Sequence, residues 1–262
     1  MTDGLGVVLL GIIEGVTEFL PVSSTGHLLL FENAGWLPRQ SDLFNVVIQS
    51  GAVLAVLVVF SGRVRELVLH LGDPAVRDYM AKLALAFVVT GVGGLALKAV
   101  GFQLPQAAGP VAWATLIGGV LILLTERWLR GRPLRAEITW ATALAVGLAQ
   151  LLAAVFPGTS RSAATILVAL ALGATRPAAT EFSFLVGIPT LLSAGALEIW
   201  QALRHPGAET SWGLIALGTA VSAVTAFMVV RWLLRFVQTH TFSAFGWYRI
   251  ALGLSILLLL SR

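Results

Sequence analysis

Glu14-Gly-Val-Thr-Glu18-Phe-Leu-Pro21-Val-Ser-Ser-Thr-Gly-His27 places two carboxylates, a Ser-Ser-Thr run of hydroxyls and an imidazole inside an apolar stretch near the N-terminus. Ionisable groups at membrane depth are costly and mark functional sites by default. Residues 5–20 are apolar but too short to span, and Pro21 stops them; a second short segment, 25–36, ends at Gly35. Two short halves joined by Pro-Val-Ser-Ser read as a re-entrant hairpin or broken helix. A membrane tolerates such backbone only where protein shields it or where it lines a wet cavity.

Composition points the same way. The chain has 262 residues, 57% hydrophobic and 11% charged, with a mean hydropathy of +0.89. A soluble domain carries about 25% charged residues, so the fold class is an all-α polytopic membrane protein. With no cysteine, disulfides, thiol nucleophiles and thiolate metal sites are excluded. The net charge of +4 and pI near 10.3 do not indicate nucleic acid, because the Lys and Arg residues sit in loops between apolar segments. The N-terminus lacks a basic region and a small-residue cleavage site, so no removable signal peptide is expected.

Working outward, full spans are expected at about 43–60, 79–98, 109–128, 178–200, 212–234 and 244–262. A second broken segment runs 138–156, stops at Pro157-Gly158 and resumes over 161–173. Six transmembrane helices and two re-entrant hairpins result. Arg63, Arg65, Arg77, Lys82, the arginines from Arg127 to Arg135, Arg176, Arg231 and Arg235 then fall on one side. Arg39, Lys98, Arg204 and Arg262 fall on the other. The positive-inside rule puts both termini outside and makes the two hairpins enter from opposite faces.

A shift of 136 residues places Gly11 on Gly147, Glu14 on Gln150, Pro21 on Pro157 and Ser24 on Ser160. A shift of 138 places Phe44-Asn45 on Phe182-Ser183. One membrane domain, 1–262, is therefore expected, with inverted repeats of roughly 1–130 and 136–262. In such proteins the site lies where the broken elements meet, near the midplane.

The second break reads Pro157-Gly158-Thr-Ser160-Arg161-Ser162-Ala-Ala-Thr165. Ser160 is a good N-cap and Arg161 opens a helix whose N-terminus offers free N–H groups and a positive dipole end. The arginine adds a planar fork suited to phosphate oxygens; a Pro-Gly turn with an Arg reaching a headgroup is the plainer reading. In the first break Ser23 or Ser24 would cap a helix beginning near Thr25. Two such helix ends facing each other suit a diphosphate. Glu14 and Glu18, at i and i+4, share one helix face and suit Mg²⁺ or Ca²⁺ together with substrate phosphates, or else are protonated structural groups. His27 follows Ser24 by three residues; hydroxyl and imidazole on one turn form a minimal nucleophile or acid–base pair. Asn45, Gln49, Glu181 and Ser183 line the site or lock helices together, and Gln150 bonds the loop. Trp36, Trp200, Trp212, Trp247 and Tyr248 read as aromatic belts. Arg249 reaches a headgroup or anchors its span by snorkelling.

These motifs carry a resemblance. Glu14-x-x-x-Glu18-Phe-Leu-Pro-Val-Ser-Ser-Thr-Gly-His27 resembles the acidic motif of the undecaprenyl-diphosphate phosphatase (bacitracin-resistance) family. Pro157-to-Thr165 resembles that family's second, Pro-Gly-x-Ser-Arg-Ser motif. The likeness extends through Phe44-to-Gly51, Glu181-to-Pro189 and Tyr248-to-Gly253. Ala163 stands where the family usually has Gly, which stiffens the helix start and removes no catalytic group.

The resemblance implies hydrolysis of undecaprenyl diphosphate on the outer face of the bacterial inner membrane, lipid-carrier recycling for peptidoglycan, divalent-metal dependence and bacitracin tolerance. It maps the family's carboxylates, Ser/His pair and Arg onto Glu14, Glu18, Ser24, His27 and Arg161. On this reading Glu14 and Glu18 hold Mg²⁺ or Ca²⁺, or one of them deprotonates the nucleophile. Ser24 attacks the terminal phosphorus and His27 transfers a proton, with a His27-activated water as the alternative. Arg161, Ser160, Thr25, Ser23, Ser162 and Gly158 hold phosphate. The expected partners are the undecaprenyl diphosphate lipid and membrane lipids, without nucleic acid; a homodimer is left open. The rival class is a lipid-carrier flippase or secondary transporter, since inverted repeats with broken helices are transporter architecture.

Overall fold

The computed structural model describes residues 3–33, 35–37, 40–102, 108–204 and 211–260. Among them are eleven helices and no strand: α1 (Asp3–Thr17), α2 (Ser24–Asn33), α3 (Asp42–Val59), α4 (Ser61–Leu69), α5 (Pro74–Ala99), α6 (Ala108–Trp128), α7 (Trp140–Val155), α8 (Arg161–Ala171), α9 (Arg176–Arg204), α10 (Trp212–Thr239) and α11 (Ser243–Leu260). Six of these, α3, α5, α6, α9, α10 and α11, are long and apolar enough to cross a membrane. They are the six spans expected from hydropathy, so the chain is an all-α, multi-pass membrane protein. At about 1.5 Å per residue, α1, α2, α7 and α8 fall short of a roughly 30 Å hydrocarbon core.

Local chemistry fixes the helix starts. Ser41 caps α3 by accepting from the Phe44 N–H, and Thr139 caps α7 by accepting from Thr142. Asp73 accepts from Ala75, and Pro74 occupies the first position of α5, where its missing N–H costs nothing. These caps start α5 five residues earlier than the hydropathy pattern does. The pattern also misses α4, whose Arg63, Arg65 and Glu66 make it read as loop. The expectation that apolar structure continues to Pro21 is corrected: α1 ends at Thr17 and residues 18–22 form turns. Arg39 and Arg262 of the charge count lie outside the described residues.

Packing brings the two short helix pairs together. α1 lies along α10 and α7 along α5; α2 leans on α11 and α8 on α6; α3 meets α9, and α6 meets α11. Both α1 and α7 make their crossings at a glycine. A Cβ at Gly11 would stand 2.8 Å from the Gly218 carbonyl oxygen, and one at Gly147 would stand 2.8 Å from that of Ala86. Between the pairs sits an aromatic core in which Phe19 meets Phe184 edge-on at 4.9 Å. Phe19, itself in the first turn, thus anchors that turn in the main apolar core.

Candidate active site

The turns 18–23 and 156–160 end in the same device. Ser23 and Ser160 are the two non-glycine residues with left-handed backbone among the described residues, at φ 75° and 66°. Each precedes a helix and accepts from the N–H three residues on: Ser23 Oγ from Gly26 at 3.2 Å, Ser160 Oγ from Ala163 at 3.3 Å. Ser23, not Ser24, is therefore the cap of α2. Ser24 and Arg161 both become first helical residues, one place away from the alignment that pairs Ser24 with Ser160.

Those first residues meet on Glu18. The Ser24 hydroxyl donates to Glu18 Oε2 at 3.3 Å, and Arg161 Nη2 donates to Oε1 at 3.1 Å. Glu18 and Arg161 are 8% and 12% exposed at their side chains, so this pair is largely out of water. The guanidinium also stands over the Phe19 ring at 5.3 Å. Its Nε and Nη1 are buried without a partner, as are both oxygens of Glu14, which lies beside Glu18 at the end of α1. Glu18 N still donates to Glu14 O at 2.9 Å, so the i, i+4 relation of the carboxylates survives the helix end. Two unpaired donors of Arg161 and the unpaired oxygens of Glu14 thus lie in one buried cluster with Glu18.

Other groups tie the turns to each other. Ser162, fully buried, donates to the Leu20 carbonyl at 2.9 Å, so its hydroxyl proton links the two breaks. Arg249, which the sequence reads as a headgroup anchor, is instead 0% exposed. It donates to the carbonyls of Thr115 at 3.1 Å, Ala114 at 3.3 Å, Pro21 at 3.4 Å and Gly158 at 3.1 Å. One guanidinium thus clamps both turns to α6. No sequence signal separates this arginine from a snorkelling one. Gly158 takes φ 95°, and its carbonyl also accepts from Thr115 Oγ1 at 3.2 Å.

His27 is buried but is not hydrogen-bonded to Ser24. Its Nδ1 meets the Ser23 carbonyl at 2.7 Å and its Nε2 the Tyr248 hydroxyl at 2.6 Å. Tyr248 keeps the exposed ring its sequence context gives it, 48% exposed, while its hydroxyl bonds inward to His27. Thr25 is exposed on the first turn of α2. Gln150 bonds Thr90 of α5 at 2.8 Å rather than the loop. Ser183 pairs with Thr165 and locks α9 to α8. Glu181 lies apart from the site, joined to Arg63 at 3.0 Å and Tyr79 at 3.4 Å. Among the described residues no group of three or more His, Cys, Asp or Glu side chains gathers, so any cation here would be shared between Glu14, Glu18 and non-protein oxygens.

Comparison with known proteins finds relatives along nearly the whole chain. Residues 7–255 match the family described as bacitracin resistance protein BacA. The chain is 49% identical over 257 residues to a protein of Rhizobium johnstonii named undecaprenyl-diphosphatase, covering 97% of this chain and 96% of that one. Proteins of the same name from Xanthomonas axonopodis pv. citri (48% over 260 residues, 98% and 97% covered) and Xylella fastidiosa (49% over 252 residues, 95% and 96% covered) are similarly close. With nearly the whole length matched, and with Glu14, Glu18, Ser24, His27 and Arg161 inside the matched region, the chain belongs to the bacitracin resistance protein BacA family.

Proposed function

We propose that this protein is an integral membrane phosphatase that hydrolyses undecaprenyl diphosphate to undecaprenyl phosphate and inorganic phosphate. The observation that carries the reading is the meeting of Ser24, Glu18 and Arg161: a hydroxyl donating to a carboxylate beside an arginine with two unpaired nitrogens. The name shared by the relatives supplies the substrate. Reaction on the outer face of the bacterial inner membrane, lipid-carrier recycling for peptidoglycan and bacitracin resistance follow as parts of the same proposal. The loop charges favour that orientation. The shared caps at Ser23 and Ser160 and the paired crossings of α1 and α7 support reading the two halves as inverted repeats with re-entrant hairpins.

The chain's own groups divide the work. Arg161 Nε and Nη1 take oxygens of the terminal phosphate, while Nη2 stays on Glu18. Ser160 Oγ, on turning its proton away from Ser162 Oγ at 3.1 Å, and the free N–H groups at the starts of α2 and α8 add neutral donors. Thr25 lies at the rim. Glu18 Oε2 takes the proton of Ser24 as its Oγ bonds to the terminal phosphorus, and the bond to the prenyl phosphate breaks. Water then attacks the phosphorus of the phosphoserine and gives its proton to His27 Nε2 as the Tyr248 hydroxyl turns aside, Nδ1 being held by the Ser23 carbonyl; the Ser24 Oγ–P bond breaks, Glu18 returns the proton to Oγ, and inorganic phosphate leaves. The Glu18 contact of Ser24 favours serine attack over a His27-activated water. Positioning and charge neutralisation supply most of the acceleration.

The residues fit a divalent cation. Glu14 offers two buried, unpartnered oxygens beside Glu18, a hard oxygen pair of the kind that holds Mg²⁺ or Ca²⁺ when phosphate oxygens complete the shell. When bound, the cation would neutralise charge that builds on the diphosphate. Phosphate release from long-chain prenyl diphosphate by the purified protein, with Mg²⁺ or Ca²⁺ supplied, tests the proposal. Lipid movement in vesicles without phosphate release would replace it with a flippase.

A further inference from the structure

His27 is held at both ring nitrogens, and the two partners differ in what they can do. The Ser23 carbonyl oxygen, 2.7 Å from Nδ1, can only accept, so Nδ1 carries a proton. In the neutral ring Nε2 is then the acceptor, and the Tyr248 hydroxyl at 2.6 Å donates to it. Every proton that His27 exchanges must use Nε2, and Tyr248 occupies that nitrogen. The rings lie nearly parallel, 12° apart with centroids at 5.5 Å, which fixes the imidazole plane as well as its tautomer.

Tyr248 also stands at a boundary. It borders an apolar groove of about 510 Å³ between α1, α2 and α11, walled by Ile12, Val16, Leu20, Phe31 and Phe245, with His27 at its polar end. A belt tyrosine directs its hydroxyl to headgroups or water. This one directs it to an imidazole that is 7% exposed and 221 residues away in sequence.

We propose that Tyr248 is a positioning residue for phosphate release: its hydroxyl holds His27 in the Nδ1–H tautomer, with Nε2 unprotonated and able to take up the proton, where both side chains border the apolar groove. The proposal rests on the phosphatase reading. Tyr248→Phe keeps the ring and its stacking and removes the hydroxyl alone.

In the purified full-length variant kcat is expected to fall about tenfold, the equivalent of one hydrogen bond, with KM within about twofold of the parent, as binding is unchanged. A purely packing role would leave kcat unmoved. In ¹⁵N-histidine-labelled protein, the His27 Nε2 resonance, assigned by its loss in His27→Gln, should shift in Tyr248→Phe while Nδ1 remains protonated. Parental kcat, or an unmoved Nε2 resonance, overturns the proposal. If the parent protein itself releases no phosphate, the functional reading fails, and the resonance alone still decides whether Tyr248 holds His27.

Discussion

Replacing Arg249 by methionine should loosen the site without touching any group that meets phosphate. The guanidinium makes four contacts to carbonyl oxygens, of which those to Thr115 and Gly158 are 3.1 Å and those to Ala114 and Pro21 are 3.3 and 3.4 Å. At about 1.5–3 kcal/mol for a hydrogen bond from a charged donor, the two shorter ones contribute about 3–6 kcal/mol gross. Methionine fills a similar volume and removes the cost of burying a charge, which offsets part of this, leaving a net loss of about 3 kcal/mol. Gly158 O keeps Thr115 Oγ1, whereas Pro21 O loses its side-chain donor. The first turn should therefore drift more than the second. A fall in Tm of roughly 6–12 °C in detergent is expected, with phosphate release lowered about 100-fold, the scale of a 1 Å misplacement. Arg249→Lys keeps the charge but not the fork that reaches both turns, and should fall between. Gly118→Ala is an independent check, because a Cβ there would strike the Arg249 guanidinium. Unaltered Tm and turnover in Arg249→Met would refute the clamp.

Three further outcomes follow from the site. Ser24→Ala should lower phosphate release by at least ~10³-fold with KM little changed, as expected for a nucleophile; a parental rate would return the attack to water, and trapping of a phosphoserine in the parent would support serine. Glu14→Gln, close in size and without charge, should raise the Mg²⁺ or Ca²⁺ concentration for half-maximal activity by about tenfold or more, and chelation should stop turnover of the parent; an unchanged metal titration would remove Glu14 from the cation seat. Gly158→Ala forces a Cβ onto a φ of 95° and against the Val111 carbonyl. A loss of about 1–3 kcal/mol is expected in thermal or denaturant unfolding, and a neutral result would show that the turn can relax.

The extent to which this molecule can be read from its sequence depends on how local each signal is. Six spans were legible because a bilayer demands about 20 apolar residues in a row, which no tertiary contact need supply. Ends were less so: Arg77, Asp78 and Lys82 lie within α5, and Arg231 and Arg235 within α10, and their charges make helical turns look like loops. Asp73-Pro74 carried the right boundary as a cap signal. In the site, Ser160 and Arg161 were legible as cap and first residue because capping is decided within four residues. The assignment between Ser23 and Ser24 was not, since either hydroxyl can cap and only the backbone path chooses. Arg249 was misread, and the inward hydroxyl bond of Tyr248 missed, for a different reason. A tyrosine and an arginine near a span's end look the same in sequence whether or not their polar ends bond inward, and the partners here lie in α2, the two turns and α6.

The left-handed serines narrow what these two positions can become. Backbone at φ 75° or 66° favours glycine, which would give up the oxygen that accepts from the third N–H of the helix; alanine would lose the oxygen and keep the strain. Asparagine reconciles both demands, tolerating the conformation and supplying a cap. At Ser160, which is partly accessible, there is room for it; at Ser23, 1% exposed beneath His27, there is not. The two caps therefore carry unequal freedom to vary: the partly accessible Ser160 has more room for a longer capping side chain than the buried Ser23.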